Sequence, residues 1–339
     1  MKLSALGEFG TIDRIKAICK GGGKDVLAGI GDDSAVVDFK GKKLLATADM
    51  LIEGVHFDRR FCTYGQLGYK SLAVNISDIA AMGGTPRYYM VSLAAGPDER
   101  VEDIEALYRG MEDAAARFGL AVIGGDTCAS PGPMVISITA LGEMREGGPV
   151  LRSGARPGDD IYVTGTLGDS LAGLEILKAG AGDKSCSCPI YGAHLKPPDK
   201  SGSYSRRRRP EGGPYLIKRH LEPEPRVSAG RMLARSGLAS SMIDISDGFS
   251  SDLGHILEEG GVGARIRAEE LPLSGELVRY AGPDRAAEYA LTGGEDYELL
   301  FTAHPEFAKR ITAAGKRLKI RITAVGKITE KPGAFIESG

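Results

Sequence analysis

The sequence predicts an α+β (mixed α/β) chain in two domains. Three observations lead there. Runs of strand and helix type alternate along the chain without the strict period of a doubly wound fold. A length of 339 residues provides core enough for two domains. Between Gly147 and Gly158 the composition shifts to Gly, Pro and Arg, which separates residues 1–148 from residues 149–339.

In the first part, Ile12, Ile15 and Ile18 recur at helical spacing and Gly21-Gly22-Gly23 ends the segment, predicting a helix over residues 9–19. Strand-like runs cover residues 35–39 and 44–48, and residues 73–82 belong to an apolar helix broken by Gly83-Gly84. A strand over 90–95 precedes an amphipathic helix over 102–118. Residues 120–123 read as a short buried strand running into Gly124-Gly125-Asp126-Thr127, and 134–141 as another strand. In the second part, strands are expected over 160–164, 241–245, 263–267, 297–302 and 319–325, with helices over 170–178, 227–236, 250–258 and 305–314. The Pro-, Gly- and Ser-rich stretch from about residue 180 to 214, with Arg206-Arg207-Arg208-Arg209, reads as a mobile surface insertion.

Bulk composition excludes several classes of function. Hydrophobic residues make up 42% and charged residues 26%, as in an ordinary globular protein. A net charge of -2 offers no basic face for nucleic acid. No apolar run approaches the roughly 18 residues of a membrane span and no signal-peptide pattern opens the chain, so a cytoplasmic protein is expected. Five cysteines, odd in number and without a CxxC, indicate neither a disulfide framework nor a zinc ribbon.

Chemistry concentrates in acids beside glycine. The central stretch is Gly29-Ile30-Gly31-Asp32-Asp33-Ser34, with Asp49 after the next apolar run; Asp78, Asp126, Asp244, Asp247, Glu295 and Asp296 follow in short polar segments. Adjacent carboxylates raise each other's pKa, and a fold keeps them charged most easily with a cation or several donors between them. Magnesium takes oxygen ligands and keeps part of its shell for water and phosphate. The known phosphate and nucleophile signatures fail: no Gly-Lys is followed by Ser or Thr, Gly29-x-Gly31-x-x-Ser34 runs into a strand rather than a helix, and neither HExxH nor GxSxG occurs. His56 is the one histidine close to the acid-rich segments, which disfavours a Ser-His or Cys-His pair. Each acid also has a plain structural reading. Asp beside Gly is common turn chemistry, Ser246-Asp247 caps a following helix, His56 fits a half-buried core histidine, and Arg152 pairs with a surface acid. A faint echo links Ile76-Ser77-Asp78 with Ile245-Ser246-Asp247.

Together these stretches resemble the thiamine-monophosphate kinases of the aminoimidazole-ribonucleotide-synthetase-like superfamily. The resemblance rests on Gly7-Glu8-Phe9, Gly29 to Asp33, Thr47 to Phe57, Ala73 to Gly83, Gly124 to Thr127, Arg152 to Ala155, Asp244 to Gly248 and Gly293 to Leu299, in the family's order. It implies ATP-dependent phosphorylation of thiamine monophosphate to thiamine diphosphate by direct in-line transfer. It implies magnesium ligands at Asp33, Thr47, Ala48 (through its backbone carbonyl), Asp49, Asp78, Asp126, Asp244 and Asp247, with Asp33, Asp49, Asp78 and Asp247 as the catalytic set. Gly125, Asp126, Arg152, Ser246 and Tyr108 would hold ATP, and His56 and Glu295 the thiamine phosphate. The implied fold has an N-terminal domain that completes a β-barrel across a homodimer and a C-terminal α/β domain. Two departures stand out: the 180–214 insertion is longer than usual, and the chain ends at Gly339 without the family's aromatic tail, which is expected to loosen the grip on thiamine. The alternatives are another ATP-using enzyme of the superfamily and a non-catalytic metal- or nucleotide-binding paralogue. A selenophosphate synthetase would want a reactive Cys or selenocysteine in the N-terminal Gly-rich loop, and a hydrogenase-maturation dehydratase a C-terminal Cys.

Overall fold

Alternating residues sort to two faces of a strand, and that rule builds both halves of the molecule. The computed structural model describes residue 12 and residues 25–29, 31–144, 147–180 and 212–337. The helix expected over 9–19 and most of the 180–214 insertion lie outside the described residues. At the margins of that insertion the structure corrects the expectation: Gly180 ends a helix, and Gly213 and Pro214 open the next.

The first sheet comprises β1 (Val26–Ala28), β2 (Ala35–Phe39), β3 (Lys42–Ile52), β4 (Thr85–Ala95), β5 (Ala121–Ala129) and β6 (Val135–Glu143), in the order β1-β2-β3-β6-β4-β5. All neighbours are antiparallel except β4 and β5. Helices α1 (Tyr64–Ala81) and α2 (Val101–Phe118) follow β3 and β4. Leu45, Leu51, Tyr89, Val91, Ile136 and Ile138 from the sheet share one core with Leu72, Ile76 and Ile79 of α1 and with Leu107 and Met111 of α2. The opposite face keeps Met50 54% and Tyr88 49% exposed, with Leu44 and Met90 beside them. β5 corrects the expectation of a short buried strand. It is an exposed edge, and it runs through Gly124 and Gly125 rather than stopping before them. β3 is also longer than 44–48, because its ladder with β6 continues through Asp49 to Ile52.

α1 begins with a capping box, Thr63 and Gln66 each satisfying the other's backbone N–H. Its side chains alone do not explain how near it lies to α2. A Cβ added at Gly68 would sit 1.9 Å from the Leu107 carbonyl oxygen, and one at Gly110 1.8 Å from that of Gly65. The two backbones touch where glycine leaves room.

The second sheet contains β7 (Asp160–Thr164), β8 (Ser241–Asp244), β9 (Gly263–Arg267), β10 (Leu299–Ala303), β11 (Ile322–Thr329) and β12 (Gly333–Glu337), in the order β12-β9-β11-β7-β10-β8. Its helices are α3 (Asp169–Gly180), α4 (Gly213–Leu221), α5 (Val227–Arg235), α6 (Phe249–Gly260), α7 (Gly275–Ala281), α8 (Pro283–Thr292) and α9 (Ala308–Leu318). Successive residues of β7, β8 and β10 feed different cores. Ile161, Val163, Ile243 and Leu300 pack with Phe249, Leu253 and Ile256 of α6, while Tyr162, Met242, Leu299 and Phe301 pack with Leu233 of α5 and Ile311 of α9. Burial on both faces explains why these strands read as continuous apolar runs. β1, β12, α4, α7 and α8 were not legible as elements, being short or polar. No helix among the described residues is long and apolar enough to cross a membrane.

The close approach of α1 and α2 predicts that Gly110→Ala destabilises the protein by about 3 kcal/mol through overpacking. Gly254→Ala, in α6 with no atom within 4 Å of the added methyl, should instead be neutral or stabilise by up to about 1 kcal/mol. Urea unfolding of both variants measures this; equal midpoints would contradict the packing argument.

Candidate active site

Asp32 and Asp33 do find donors between them. Arg152, in a short 3-10 turn (Arg152–Gly154), donates its backbone N–H to Asp32 Oδ1 at 2.9 Å. Its guanidinium reaches Asp33 at 2.6 and 3.4 Å and the Gly31 carbonyl at 3.1 Å. Burial raises the Asp33 carboxyl even so, with Arg152 opposing it. The expected ATP-holding arginine and the expected metal ligand are thus partners in this structure.

Three further elements deliver acids to the same place. β3 turns Thr47 and Asp49 toward α1, where Thr47 Oγ1 donates to Asp78 Oδ2 at 2.5 Å and the Asp49 N–H donates to Asn75 Oδ1 at 3.2 Å. Ala48 faces the other way and is exposed, leaving its backbone carbonyl as its one oxygen. Asp78 stands in the last turn of α1, and Asp244 closes β8. Asp33, Asp78 and Asp244 each offer a carboxylate oxygen, all within 4.8 Å of one another. Burial, then mutual repulsion, pushes Asp78 and Asp244 well above the usual carboxylate range. Burial and Asp33 push Asp49 up to about 6. Asp244 Oδ2 is buried with no hydrogen-bond partner among the described residues. An orphaned oxygen in an all-oxygen donor set fits a hard cation such as magnesium. Asp33, Thr47, Asp49, Asp78 and Asp244 are the residues placed to hold it.

Asp247 joins a second group, with Asp252 and His255, whose ligand atoms also lie within 4.8 Å of one another. The alternative, plain structural reading of Ser246-Asp247 as the helix cap does not hold. Gly248 is the N-cap of α6, and Asp252 reaches back to accept the N–H groups of Ser246, Asp247 and Gly248 at 3.1, 3.2 and 3.0 Å. Burial and Asp247 raise Asp252 to about 8. His56 is therefore not the one histidine beside the acids, since His255 is another. The echo between residues 76–78 and 245–247 does not extend to environment: Asp78 belongs to a helix end, whereas Asp247 is exposed in a loop.

His56 Nδ1 accepts the Ile52 N–H at 3.0 Å, which leaves the proton of the neutral ring on Nε2. Glu295 has φ +63° and donates its N–H to the Ser246 carbonyl at 2.7 Å. That bond ties the 293–298 loop to the 245–248 loop. Tyr108 lines a cleft of about 450 Å³ with Ala95, Gly96, Glu99, Ile104 and Thr127. Next to it Gly125 is sterically required, since a Cβ would sit 1.9 Å from the Val91 carbonyl oxygen.

Asp126, like Asp247, is an expected ligand that does not join the cluster of Asp33, Asp78 and Asp244. The register aligns Asp49, Ile138, Val91 and Gly125 across the sheet, so Asp126, opposite Ser92, lies on the other face with Tyr88 and Met90. It is three strands from β3, about 14 Å at the usual strand spacing. The sequence reading also missed Lys70, Asn75 and His220. Ser71, Asn75 and Asp78 recur at i, i+4 and i+7, a polar stripe on an otherwise apolar helix that was available as a signal.

Residues 31–144 match the AIR synthase related protein, N-terminal domain, and residues 156–338 the AIR synthase related protein, C-terminal domain. The thiamine-monophosphate kinase of Escherichia coli (strain K12) is 40% identical over 327 residues, 96% of this chain and 91% of that protein. AaThiL complexed with AMPPCP and TMP superposes with a TM-score of 0.79 at 36% identity, covering 99% of this chain and 95% of that one. The thiamine-monophosphate kinase from Stenotrophomonas maltophilia K279a superposes with a TM-score of 0.75 at 36% identity, covering 98% and 96%.

The raised carboxyls set the sign of a pH effect. With folded pKa values above the unfolded value of 3.8, Asp49, Asp78 and Asp244 contribute stability that is complete below about pH 4. It is lost as pH rises through about 6 for Asp49 and higher for the other two. In chelator the melting temperature should therefore fall from about pH 5 to about pH 8, and magnesium at pH 8 should restore it. Asp244→Asn should flatten both responses, and a profile in chelator that stays level would contradict this account.

Proposed function

The chain belongs to the thiamine-monophosphate kinase family of AIR synthase related proteins, and from that premise we propose that it transfers the γ-phosphoryl group of ATP to the phosphate of thiamine monophosphate. One observation carries the reading. The cluster of half-buried Asp33 and Asp78 with buried Asp244 joins elements from both halves of the chain, with His56 and Glu295 on other loops of the site. AaThiL, at 36% identity, was solved with AMPPCP and TMP, which supports the same pair of substrates here.

In the reaction a phosphate oxygen of thiamine monophosphate bonds to the γ-phosphorus while the bond to the bridging oxygen of ADP breaks in line. Magnesium, when bound, neutralises the phosphates and the carboxylates that face them. Arg152 offers a fixed positive charge to the nucleotide phosphates from its place against Asp33. Ser246, on the loop held by Asp252, adds a polar contact to the nucleotide, and Tyr108 lines the cleft assigned to the rest of it. His56, with its proton on Nε2, donates to the acceptor phosphate. A terminal phosphate oxygen is already largely ionised near neutral pH, so no general base is required. The expected set of Asp33, Asp49, Asp78 and Asp247 acts by holding charge in place rather than by moving protons.

The apolar outer face of the first sheet and its edge β5, unpaired among the described residues, support a homodimer in which two such sheets close on each other. Asp126 lies on the face that a second copy would cover, which is where we assign its nucleotide and metal contacts. A cytoplasmic setting completes the proposal, since ATP and magnesium are available there.

ADP release is the direct test. It should require magnesium, ATP and thiamine monophosphate together, yield thiamine diphosphate, and fall by at least about 100-fold in Asp49→Asn. Nucleotide binding without thiamine-dependent turnover would leave the paralogue reading in its place. For the dimer, sedimentation equilibrium should give twice the chain mass, and Met50→Lys combined with Tyr88→Lys should give a monomer. A monomeric unsubstituted chain at micromolar concentration would refute it.

A further inference from the structure

Lys70 is a lysine where lysines seldom lie. It sits on α1 with its side chain 4% exposed, in a helix whose neighbouring positions are buried. A buried ammonium is tolerated when a partner offsets its desolvation. Among the described residues its one ion pair is with Glu295 Oε1, at 3.1 Å. The other oxygen, Glu295 Oε2, lies 3.2 Å from His220 Nδ1, which in turn lies 3.0 Å from Ser170 Oγ. Glu295 itself is 31% exposed, so it is held from inside the protein while part of it stays accessible.

The three residues come from distant parts of the chain: α1 in the first half, α4 in the second, and the loop before β10. Glu295 holds a left-handed backbone conformation that is strained for a non-glycine residue. Such a conformation persists when its surroundings over-determine it, and here both the backbone and the carboxylate are fixed.

We propose that Lys70, assisted by His220, is the positioning residue that holds the Glu295 carboxylate ionised and aimed at the cationic thiazolium end of the acceptor. The inference rests on the kinase reading under Proposed function and on the contact between Glu295 and thiamine monophosphate that the family resemblance implies. Lys70 is too deeply buried to touch the substrate and acts through Glu295. The Lys70 contact is one of charge rather than a hydrogen bond, since Nζ has no hydrogen-bond partner among the described residues, and the hydrogen bond of His220 Nδ1 is with Ser170. Burial is the largest influence on the Glu295 carboxyl and would raise it; the surrounding basic groups, Lys70 first, together hold it below the usual carboxylate range. His220 is pushed down to about 3, by burial first and Lys70 next, so it serves as a neutral imidazole.

The test is a kinetic double-mutant cycle. Lys70→Met, close in shape but uncharged, should raise the KM for thiamine monophosphate about tenfold or more and leave the KM for ATP within about twofold. Glu295→Gln should do the same. Lys70→Met in the Glu295→Gln background should add nothing further, because the group it positions has lost its charge. An unchanged KM for thiamine monophosphate in Lys70→Met overturns the proposal. So do parallel rises in both KM values, and so do additive effects in the double variant, each of which marks a merely structural lysine. Should Lys70→Met fail to fold, Lys70→Gln, which keeps a donor without the charge, enters the same cycle with the same expectations. Absence of thiamine-dependent turnover in the unsubstituted chain would bring down the kinase reading and this inference with it. Turnover with a KM indifferent to Lys70 brings down this inference alone.

Discussion

Repulsion among buried carboxylates is the constraint that the structure of the site is built around. Asp33, Asp78 and Asp244 meet within a few ångströms, with Asp49 near enough to feel Asp33. Asp78 also stands at the C-terminal end of α1, where the helix dipole disfavours negative charge. Each of these placements raises a pKa and weakens the fold at neutral pH unless positive charge arrives. Arg152 supplies part of it at Asp33, and the unpartnered Asp244 oxygen marks where more is wanted. The same geometry that strains the protein suits it to grip a hard cation beside polyphosphate.

α1 is the element through which the two halves are brought to a common site. Glycines at positions 65, 68 and 110 bring it against α2, and a Cβ at Gly230 would lie 2.0 Å from the Ala80 carbonyl oxygen, so α5 of the second half is equally close. A helix held this tightly on two sides can present Lys70, Asn75 and Asp78 with little freedom. Its C-terminal turn faces the carboxylate cluster, while Lys70, two turns earlier, supports Glu295. Positioning and packing are here one property.

Much of this was legible in the sequence, and the reasons differ by element. Strands at 35–39, 160–164 and 263–267 matched to the residue, because short strand-like segments bounded by turn residues leave little latitude. β5 misled because its apolar Val122 and Ile123 suggest burial, whereas both are exposed on an edge. The cap at residues 246–248 misled because Asp252, from inside the helix, does what Ser246 or Asp247 does in the usual arrangement. Lys70 escaped attention because a lysine in a helix ordinarily reads as solvated surface, and burial is a property of neighbours rather than of the residue.

By itself the sequence determined which chemistry was available: an oxygen-rich, histidine-poor donor set beside glycine, in an order that carries a family resemblance over most of the chain. It also determined the long periodic elements, since periodicity is local. Tertiary structure alone decided which acids meet. Asp33, Asp78 and Asp244 converge, Asp247 goes with Asp252 and His255, and Asp126 lies on the far face of the sheet. It alone paired Lys70 with Glu295 across 225 positions of chain, the difference of their numbers. The physical reason is the same throughout. Contact between distant residues depends on strand register and on how closely backbones pack, and neither is written at any single position.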